Sequence, residues 1–427
     1  MIFGKKEIRC GLIGEKLSHS FSPQIHSHLC DYSYTLFEMS ENEVGEFVRS
    51  NKYDSTNVTI PYKKTVMPFL DEKSDEAERI GSVNTIIRTE SGALRGENTD
   101  YFGFSYLLER SGIEISGKKV LILGTGGASL TARAVCADMG AESITFVSRE
   151  GEINYGNVYD KCADTEVIIN CTPVGMYPKN LVSPIELDRF PSLVGVADMI
   201  YNPAKTKLLL DAERLGIKNI NGLSMLVAQA KRACELFLGE AIENSEIDRI
   251  CSMIEAETGN IILVGMPGCG KSTIAKALAE ATGRELIDTD ELIVKNEERS
   301  IPEIFAAEGE EYFRECESRV AADVGKMSGK IISTGGGIVT RASNLDSLRQ
   351  NGTIFFIRRE LELLSRDGRP LSQGANLEEM YQKRHPLYLT FADFTVDNCT
   401  TVDECAEAIA NIFLNGGKNE NSYNQRP

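Results

Sequence analysis

Short apolar runs recur along this chain, each closed by glycine or a small polar residue and followed by a stretch whose apolar positions return at helical spacing. Such runs predict buried strands, and the stretches between them predict helices that cover the sheet. In KKVLILGTGGASLTARAV the order is strand, glycine turn, helix, while SITFVSR and EVIINCTP read as further buried strands. Ahead of them, IRCGLIG and STNVTI predict a separate lobe over about residues 1–100, to which the helical NGLSMLVAQAKRACELFLG returns. The second half repeats the alternation with the strands NIILVGM, ELIDTD, KIISTGGG and TIFFIRR. Both halves are therefore expected to be α/β, the second with a mostly parallel sheet covered on both faces. The last helix has clear ends: Thr401 and Glu404 form a T-x-x-E capping box, Ile409, Ile412 and Phe413 an apolar face, and Gly416 and Gly417 a stop. After it, KNENSYNQRP reads as a frayed tail.

The acidic, polar segment GEAIENSEIDRICSMIEAETGN, residues 239–260, separates the halves, with the joint expected between Glu255 and Gly259. A chain of 427 residues needs more than one core. Its 42% hydrophobic and 26% charged residues are those of an ordinary folded protein. The net charge of -17 argues against a nucleic-acid partner, because phosphate backbones are gripped by Lys and Arg. The charged start MIFGKKEIRC is unlike a secretory signal, and no window approaches 18 consecutive apolar residues, so a cytoplasmic protein without a membrane span is expected. Eleven cysteines without a C-x-x-C pair predict reduced, mostly buried thiols rather than disulfides or a zinc site. His19, His26 and His28 cluster near the start, but with no third ligand at fixed spacing a metal site is not expected there.

The strongest chemical signal is GMPGCGKST, residues 265–273, which matches G-x-x-x-x-G-K-[ST] with Gly265, Gly270, Lys271 and Ser272 in register between a strand and a helix. Glycines let backbone N–H groups turn inward around phosphate oxygens, the lysine reaches the outer phosphates, and the serine supplies an oxygen for Mg²⁺. A plain glycine turn would leave the Lys-Ser pair unexplained. Asp288 and Asp290 of DTD stand at a strand end, where an open sheet places its ligands. Arg314, the glycine run 335–337 and Arg384 would together make a small anion pocket, although each arginine taken singly is more often a surface residue.

Over residues 260–415 these motifs, with GRPL and KRHPLY, resemble shikimate kinase in order and spacing. The resemblance implies a P-loop domain over residues 256–418. It places MgATP on Gly268, Cys269, Gly270, Lys271, Ser272 and Thr273, with the metal at Ser272 and Asp288. It surrounds shikimate with Asp290, Arg314, Gly336, Gly337 and Arg384, and it puts Arg369 on a lid over the transferring phosphate, with Arg366 near the base.

In the first half, Ser20 and Ser22 of LSHSFSP offer hydroxyls suited to a carboxylate, or alternatively cap the helix that Pro23 begins. NVTIPYKK adds Asn57, Thr59 and two lysines, GSVNT adds Asn84, and GENTD adds Asn98 and Asp100. Reduction of a ketone needs a proton donor, and a lysine held by an aspartate can serve; spacing alone leaves Lys63 and Lys64 both open as the partner of Asp100. GTGGAS is a dinucleotide turn with Ser129 at its sixth position, and the following strand ends in Arg149, the residue type that meets the extra phosphate of NADP.

Across about residues 8–250 the chain resembles shikimate dehydrogenase, through GLIG, LSHSFSP, NVTIPYK, GSVNT, GENTD, GTGGAS, INCTPVGM, DMIYNPAKT and NGLSMLVAQ. The resemblance implies residues 1–255 as a two-lobed dehydrogenase, with a substrate lobe over about 1–102 and 224–255 and a Rossmann NADP lobe over about 103–223. It selects Lys63 as catalytic and assigns Ser20, Ser22, Thr59, Asn84, Asp100, Tyr201 and Gln229 to substrate. NADP falls on Gly124, Gly126, Gly127, Ala128, Ser148, Arg149, Thr172, Met199 and Gly222. The joint expectation is an enzyme that reduces 3-dehydroshikimate with NADPH and phosphorylates the shikimate with MgATP. Glu150, where the family often has threonine, motivates a quinate and NAD alternative, and a further alternative makes one half a non-catalytic regulatory module.

Overall fold

The computed structural model describes residues 8–18, 20–364 and 377–415. The chain divides into two compact units, Met1–Ser252 and Met253–Pro427, and the division falls within the helix Ser245–Thr258.

The first unit holds two sheets. One is mixed, built from β1 (Arg9–Gly14), β2 (Ser33–Glu38), β3 (Ser55–Val58), β4 (Glu72–Lys73), β5 (Thr85–Arg88) and β6 (Leu94–Glu97) in the order β2-β1-β3-β5-β6-β4. β1 pairs parallel with β2 and β3, and β5 antiparallel with β3 and β6. The other sheet is all parallel, with β7 (Lys119–Leu123), β8 (Ser143–Val147), β9 (Val167–Asn170), β10 (Gly195–Asp198) and β11 (Lys218–Ile220) in the order β11-β10-β9-β7-β8. Its strands read as unbroken apolar runs because both faces are covered. Val120 and Ile122 enter one core with Val167, Ile169 and Ala197, while Leu121 and Leu123 enter another with Ile168 and Val196.

The helix Thr99–Ser111 packs on the helix Leu223–Leu238, which also meets the helix Ser22–Leu29. Gly103 permits the first contact: a Cβ there would stand 2.7 Å from the Met225 carbonyl oxygen and 3.0 Å from Gln229 Cβ. At the second contact the structure joins Cys30 to Cys234, which corrects the expectation of reduced thiols throughout. The two cysteines are 204 residues apart, so only the packing of the two helices reveals the pair. Of the nine free cysteines, Cys399 alone is exposed and Cys171 is half-buried.

Behind the parallel sheet's carboxyl edge lies a buried polar cluster. Asp198 accepts from Thr206 Oγ1 at 2.6 Å, from the Ile200 N–H at 3.0 Å and from Asn170 Nδ2 at 3.0 Å. Asn170 Oδ1 in turn takes the Thr172 N–H and hydroxyl at 3.0 and 2.7 Å. Burial pushes the Asp198 carboxyl up to about 6, against the pull of these donors.

The second unit carries one parallel sheet, β12 (Asn260–Val264), β13 (Leu286–Asp288), β14 (Ile331–Ser333), β15 (Gly352–Arg358) and β16 (Phe394–Asp397), in the order β13-β14-β12-β15-β16. Helices bury Ile274, Leu278, Phe313, Val320, Tyr388 and Ile409 in its core. The helix Val402–Leu414 opens with the expected Thr401–Glu404 capping box, whereas Gly416 and Gly417 lie outside the described residues. Among the described residues no helix is long and apolar enough to cross a membrane.

Two outcomes follow. Gly103→Ala should lower the unfolding midpoint of the first unit by roughly 2–12 °C, read by thermal denaturation, since an overpacked helix contact costs about 1–3 kcal/mol. Asp198 holds its proton more tightly folded than unfolded, so its contribution should make the first unit less stable as pH rises from about 4 to 6. Urea unfolding of wild type against Asp198→Asn at both ends of that window should show the difference shrink by about 1–3 kcal/mol in the variant.

Candidate active sites

In the first unit the loop beyond β3 and the turn that leads into β5 meet the start of the helix Thr99–Ser111. Lys63 Nζ donates to Asp100 Oδ2 at 2.6 Å, both side chains being largely buried, while Lys64 is exposed. The geometry therefore pairs the first of the two lysines. Its backbone is tied in as well, because the Val83 N–H donates to the Lys63 carbonyl at 2.9 Å, next to Asn84.

Asn84 Oδ1 accepts the Thr99 N–H at 2.7 Å, and its Nδ2 donates to Thr99 Oγ1 at 3.0 Å, which sets the helix start that carries Asp100. Thr85 Oγ1 joins Asn84 at 3.2 Å to Asn57 Nδ2 at 3.0 Å, and Asn57 Oδ1 takes the Tyr34 hydroxyl at 2.8 Å. Burial holds the Tyr34 phenol well above its usual range, with Ser22 opposing. This network links the serine turn to the lysine pair.

Ser20 Oγ accepts the Ser22 N–H at 3.2 Å, and the helix cap itself is Phe21, with no side-chain bond. The Phe21 ring meets Tyr201 edge-on at 5.9 Å, so Tyr201 stands beside the serine turn. Thr59 lies over Gly14, and Gln229 touches the helix one turn beyond Asp100 through Gly103. His26 is a core residue, stacked on Tyr34 at 4.1 Å and pushed down to about 3 by burial. His19 lies outside the described residues.

The dinucleotide residues gather at one edge for a topological reason. Gly124 follows β7, Ser148 and Arg149 follow β8, Thr172 lies just past β9, Met199 follows β10 and Gly222 lies just past β11. That edge is where open parallel sheets bind ligands. Gly124 has φ +99°, and a Cβ on Gly222 would stand 2.1 Å from the Met199 carbonyl oxygen, so the turn conformation and the close approach need glycine. Around Gly126 and Gly127, where the helix carrying Ala128 begins, a Cβ would meet nothing within 4 Å, leaving room for a phosphate against the helix start. Arg149 is exposed and makes no ion pair among the described residues.

In the second unit the phosphate loop joins β12 to the helix Lys271–Thr282. Gly268 and Gly270 have φ +87° and +99°, and Asn398 Nδ2 braces the loop by donating to the Cys269 carbonyl at 2.7 Å. Lys271 is buried, its Nζ donating to the carbonyls of Gly265 and Met266 at 2.9 and 3.0 Å. Thr273 follows Ser272 on the first turn of the helix.

Ser272 Oγ lies 3.4 Å from Asp288 Oδ2. Asp288 is the N-cap of the helix Thr289–Glu297, its Oδ1 taking the Asp290 N–H at 2.9 Å, so this carboxylate also has a structural duty. Among the described residues no three His, Cys, Asp or Glu side chains converge on a metal position. One serine and one carboxylate suit Mg²⁺, which takes few protein ligands and completes its shell with waters and phosphates.

The glycine run 335–337 lies directly on the acceptor residues. A Cβ on Gly335 would stand 2.5 Å from Asp290 Oδ1 and 3.0 Å from Glu317 Oε1, and one on Gly337 would stand 1.8 Å from Arg314 Nη1. Arg384 Nη1 and the Tyr388 hydroxyl both donate to the Gly336 carbonyl, at 3.2 and 2.6 Å. Arg314 is itself paired with Glu317 and, at 2.8 Å, with Glu310. Burial raises the Glu317 carboxyl, against Arg314. Sequence reasoning missed Glu317 and Tyr388, although EYFRECE and KRHPLY contain them; it missed Asn170 and Asp198 within INCTPVGM and DMIYNP in the same way. Arg366 and Arg369 lie outside the described residues.

Family models match parts of both units. The model for the shikimate dehydrogenase substrate binding domain matches residues 12–86, and that for shikimate kinase matches residues 267–413. A shikimate dehydrogenase (NADP(+)) of Clostridium beijerinckii is 37% identical over 265 residues, covering 58% of this chain and 98% of its own. A solved chorismate mutase/shikimate 5-dehydrogenase fusion protein from Clostridium acetobutylicum is 37% identical with a TM-score of 0.55, over 58% of this chain and 97% of its own. Shikimate dehydrogenase 1 from Peptoclostridium difficile is likewise 37% identical, with a TM-score of 0.53, over 57% of this chain and 96% of its own. Two sets of motifs, two folded units and two family matches agree: the chain belongs to the shikimate dehydrogenase family and carries a shikimate kinase domain after it, in one bifunctional enzyme of the shikimate pathway.

Proposed function

We propose that residues 1–255 reduce 3-dehydroshikimate to shikimate with NADPH, and that residues 256–418 phosphorylate the 3-hydroxyl of shikimate with ATP and Mg²⁺. The ion pair of Lys63 with Asp100, at 2.6 Å, is the observation that carries the first reaction. NADPH supplies a hydride when bound. Lys63 Nζ spends one of its three N–H bonds on Asp100 and keeps two, so it can offer a proton to the substrate oxygen on which negative charge develops. Asp100 holds the ammonium in place. Ser20 and Ser22 would take the carboxylate, while Thr59, Asn84, Tyr201 and Gln229 would read the ring hydroxyls. Arg149, exposed and without an ion pair among the described residues, would take the 2′-phosphate, with the glycine turn and Ala128, Ser148, Thr172, Met199 and Gly222 along the cofactor.

In the second unit Lys271 and the amides of residues 268–273 would hold the phosphates, and Ser272 and Asp288 the metal. Bound MgATP supplies the phosphoryl group. Arg314 and Arg384 would hold the carboxylate of shikimate, the amides of Gly336 and Gly337 its oxygens, and Asp290 would orient the attacking hydroxyl. Arg366 would serve the base and Arg369 the transferring phosphate, both outside the described residues. A quinate dehydrogenase using NAD is the second reading of the first unit, favoured by Glu150 next to Arg149.

Lys63→Ala should lose at least ~100-fold in dehydrogenase kcat and keep the kinase, and Lys271→Ala should do the reverse. Loss of both activities in either variant, or of neither, would break the two-site reading. Arg149→Ala should raise the KM for NADPH about tenfold or more and leave that for NADH unchanged, as steady-state rates will show. Wild-type quinate oxidation with NAD faster than shikimate oxidation with NADP would favour the second reading instead.

A further inference from the structure

We propose that Arg359 binds the nucleotide phosphates, adding to the phosphate loop a cation that GMPGCGKST itself does not contain. The inference rests on the kinase reading of the second unit. Arg359 is the first residue past β15, the strand paired with β12, so it stands at the sheet edge from which the phosphate loop springs. Its Nη1 lies 4.0 Å from the point where a Cβ on Gly270 would stand, and Gly270 caps the helix that begins with Lys271. Asn398 Nδ2 stands 2.5 Å from the same point. The loop is therefore flanked there by a neutral amide that already bonds Cys269 and by a guanidinium.

Among the described residues nothing compensates the charge on Arg359. Its Nε is sealed from solvent without a hydrogen-bond partner, the residue is half-buried, and it forms no ion pair among the described residues. Other arginines of this unit differ: Arg358 pairs with Asp397 at 2.5 Å, Arg314 pairs with Glu310 and Glu317, and Arg384 reaches the Gly336 carbonyl. Partial burial of a guanidinium without a counter-charge costs free energy that the fold does not recover, and an anion on the adjacent glycine amides would recover it. Arginine suits that anion because its planar fork grips two phosphate oxygens at once. Lys271, held by the carbonyls of Gly265 and Met266, and Arg359, beside Gly270, would then grip the phosphate chain from different parts of the loop.

The test uses the full chain, with calorimetric titration of MgADP and steady-state kinase kinetics for wild type, Arg359→Ala, Arg359→Lys and, as a control, Arg358→Ala. Arg359→Ala should weaken MgADP and raise the KM for ATP about tenfold or more, with Arg359→Lys recovering part of the loss and Arg358→Ala within about twofold of wild type. The KM for shikimate should stay unchanged, and the unfolding midpoint of the ligand-free protein should not fall. MgADP affinity within about twofold of wild type in Arg359→Ala would overturn the proposal. So would an equal loss of shikimate affinity together with a lowered ligand-free midpoint, in both Arg359→Ala and the shape-conserving Arg359→Gln, because that pattern marks a structural role. A wild-type protein that binds MgADP but does not phosphorylate shikimate would defeat the kinase reading, while the MgADP titrations would still decide the role of Arg359.

Discussion

A parallel ladder runs its strands in one direction, so their carboxyl ends collect along one edge, and the backbone groups released there must find partners in the loops beyond. The candidate site residues at the sheets of both units sit at or just past those ends. Gly124, Arg149, Thr172, Met199 and Gly222 follow the ends of five strands of one sheet; the phosphate loop, Asp288, the glycine run 335–337 and Arg359 follow four strands of another. Residues far apart in sequence become neighbours because the ladder aligns the points at which they leave the sheet. The mixed sheet of the first unit places Thr59, Lys63 and Asn84 by related means, at the ends and starts of strands that pair through β3 and β5.

What shapes each loop is mostly the distance of closest backbone approach. Glycine at 222 lets the chain press on the Met199 carbonyl, glycine at 103 lets two helices close on Gln229, and glycines at 335 and 337 lie on Asp290 and Arg314 where a side chain would not fit. Polar networks then hold the loops in one arrangement. Asn84 orients the start of the helix that carries Asp100, and the Asn170–Asp198 cluster fixes Thr172 from behind. Buried amides and carboxylates of this kind stay hydrogen-bonded because leaving one donor or acceptor unmet costs about 1–3 kcal/mol. The geometry of the lysine pair is thereby set in part from the helix start, through Asn84 and Thr99.

The α/β class, the alternation of elements and the expected strands were legible because they rest on local apolar periodicity, and the structure forms a strand in each of those segments. GMPGCGKST was legible because its spacing is itself a local conformation, a turn needing glycines at positive φ before a helix. Lys63 against Lys64 was not legible from spacing, since adjacent residues differ only in which way the folded loop turns them. The Cys30–Cys234 pair, the bracing of the phosphate loop by Asn398 and the pairing of Arg314 with Glu317 depend on contacts between separate elements or on helix facing.

By itself, then, the order of residues determined the local conformations, the two-part organisation and the residue types available for chemistry. Only the tertiary structure decided which lysine meets Asp100, which carboxylate caps a helix, and that Arg359 stands by the phosphate loop with no ion pair among the described residues. The physical reason is that a hydrogen bond or ion pair is decided by ångströms between atoms on different elements. Sequence spacing constrains distance only within an element, and distances between elements are set by how their apolar faces pack.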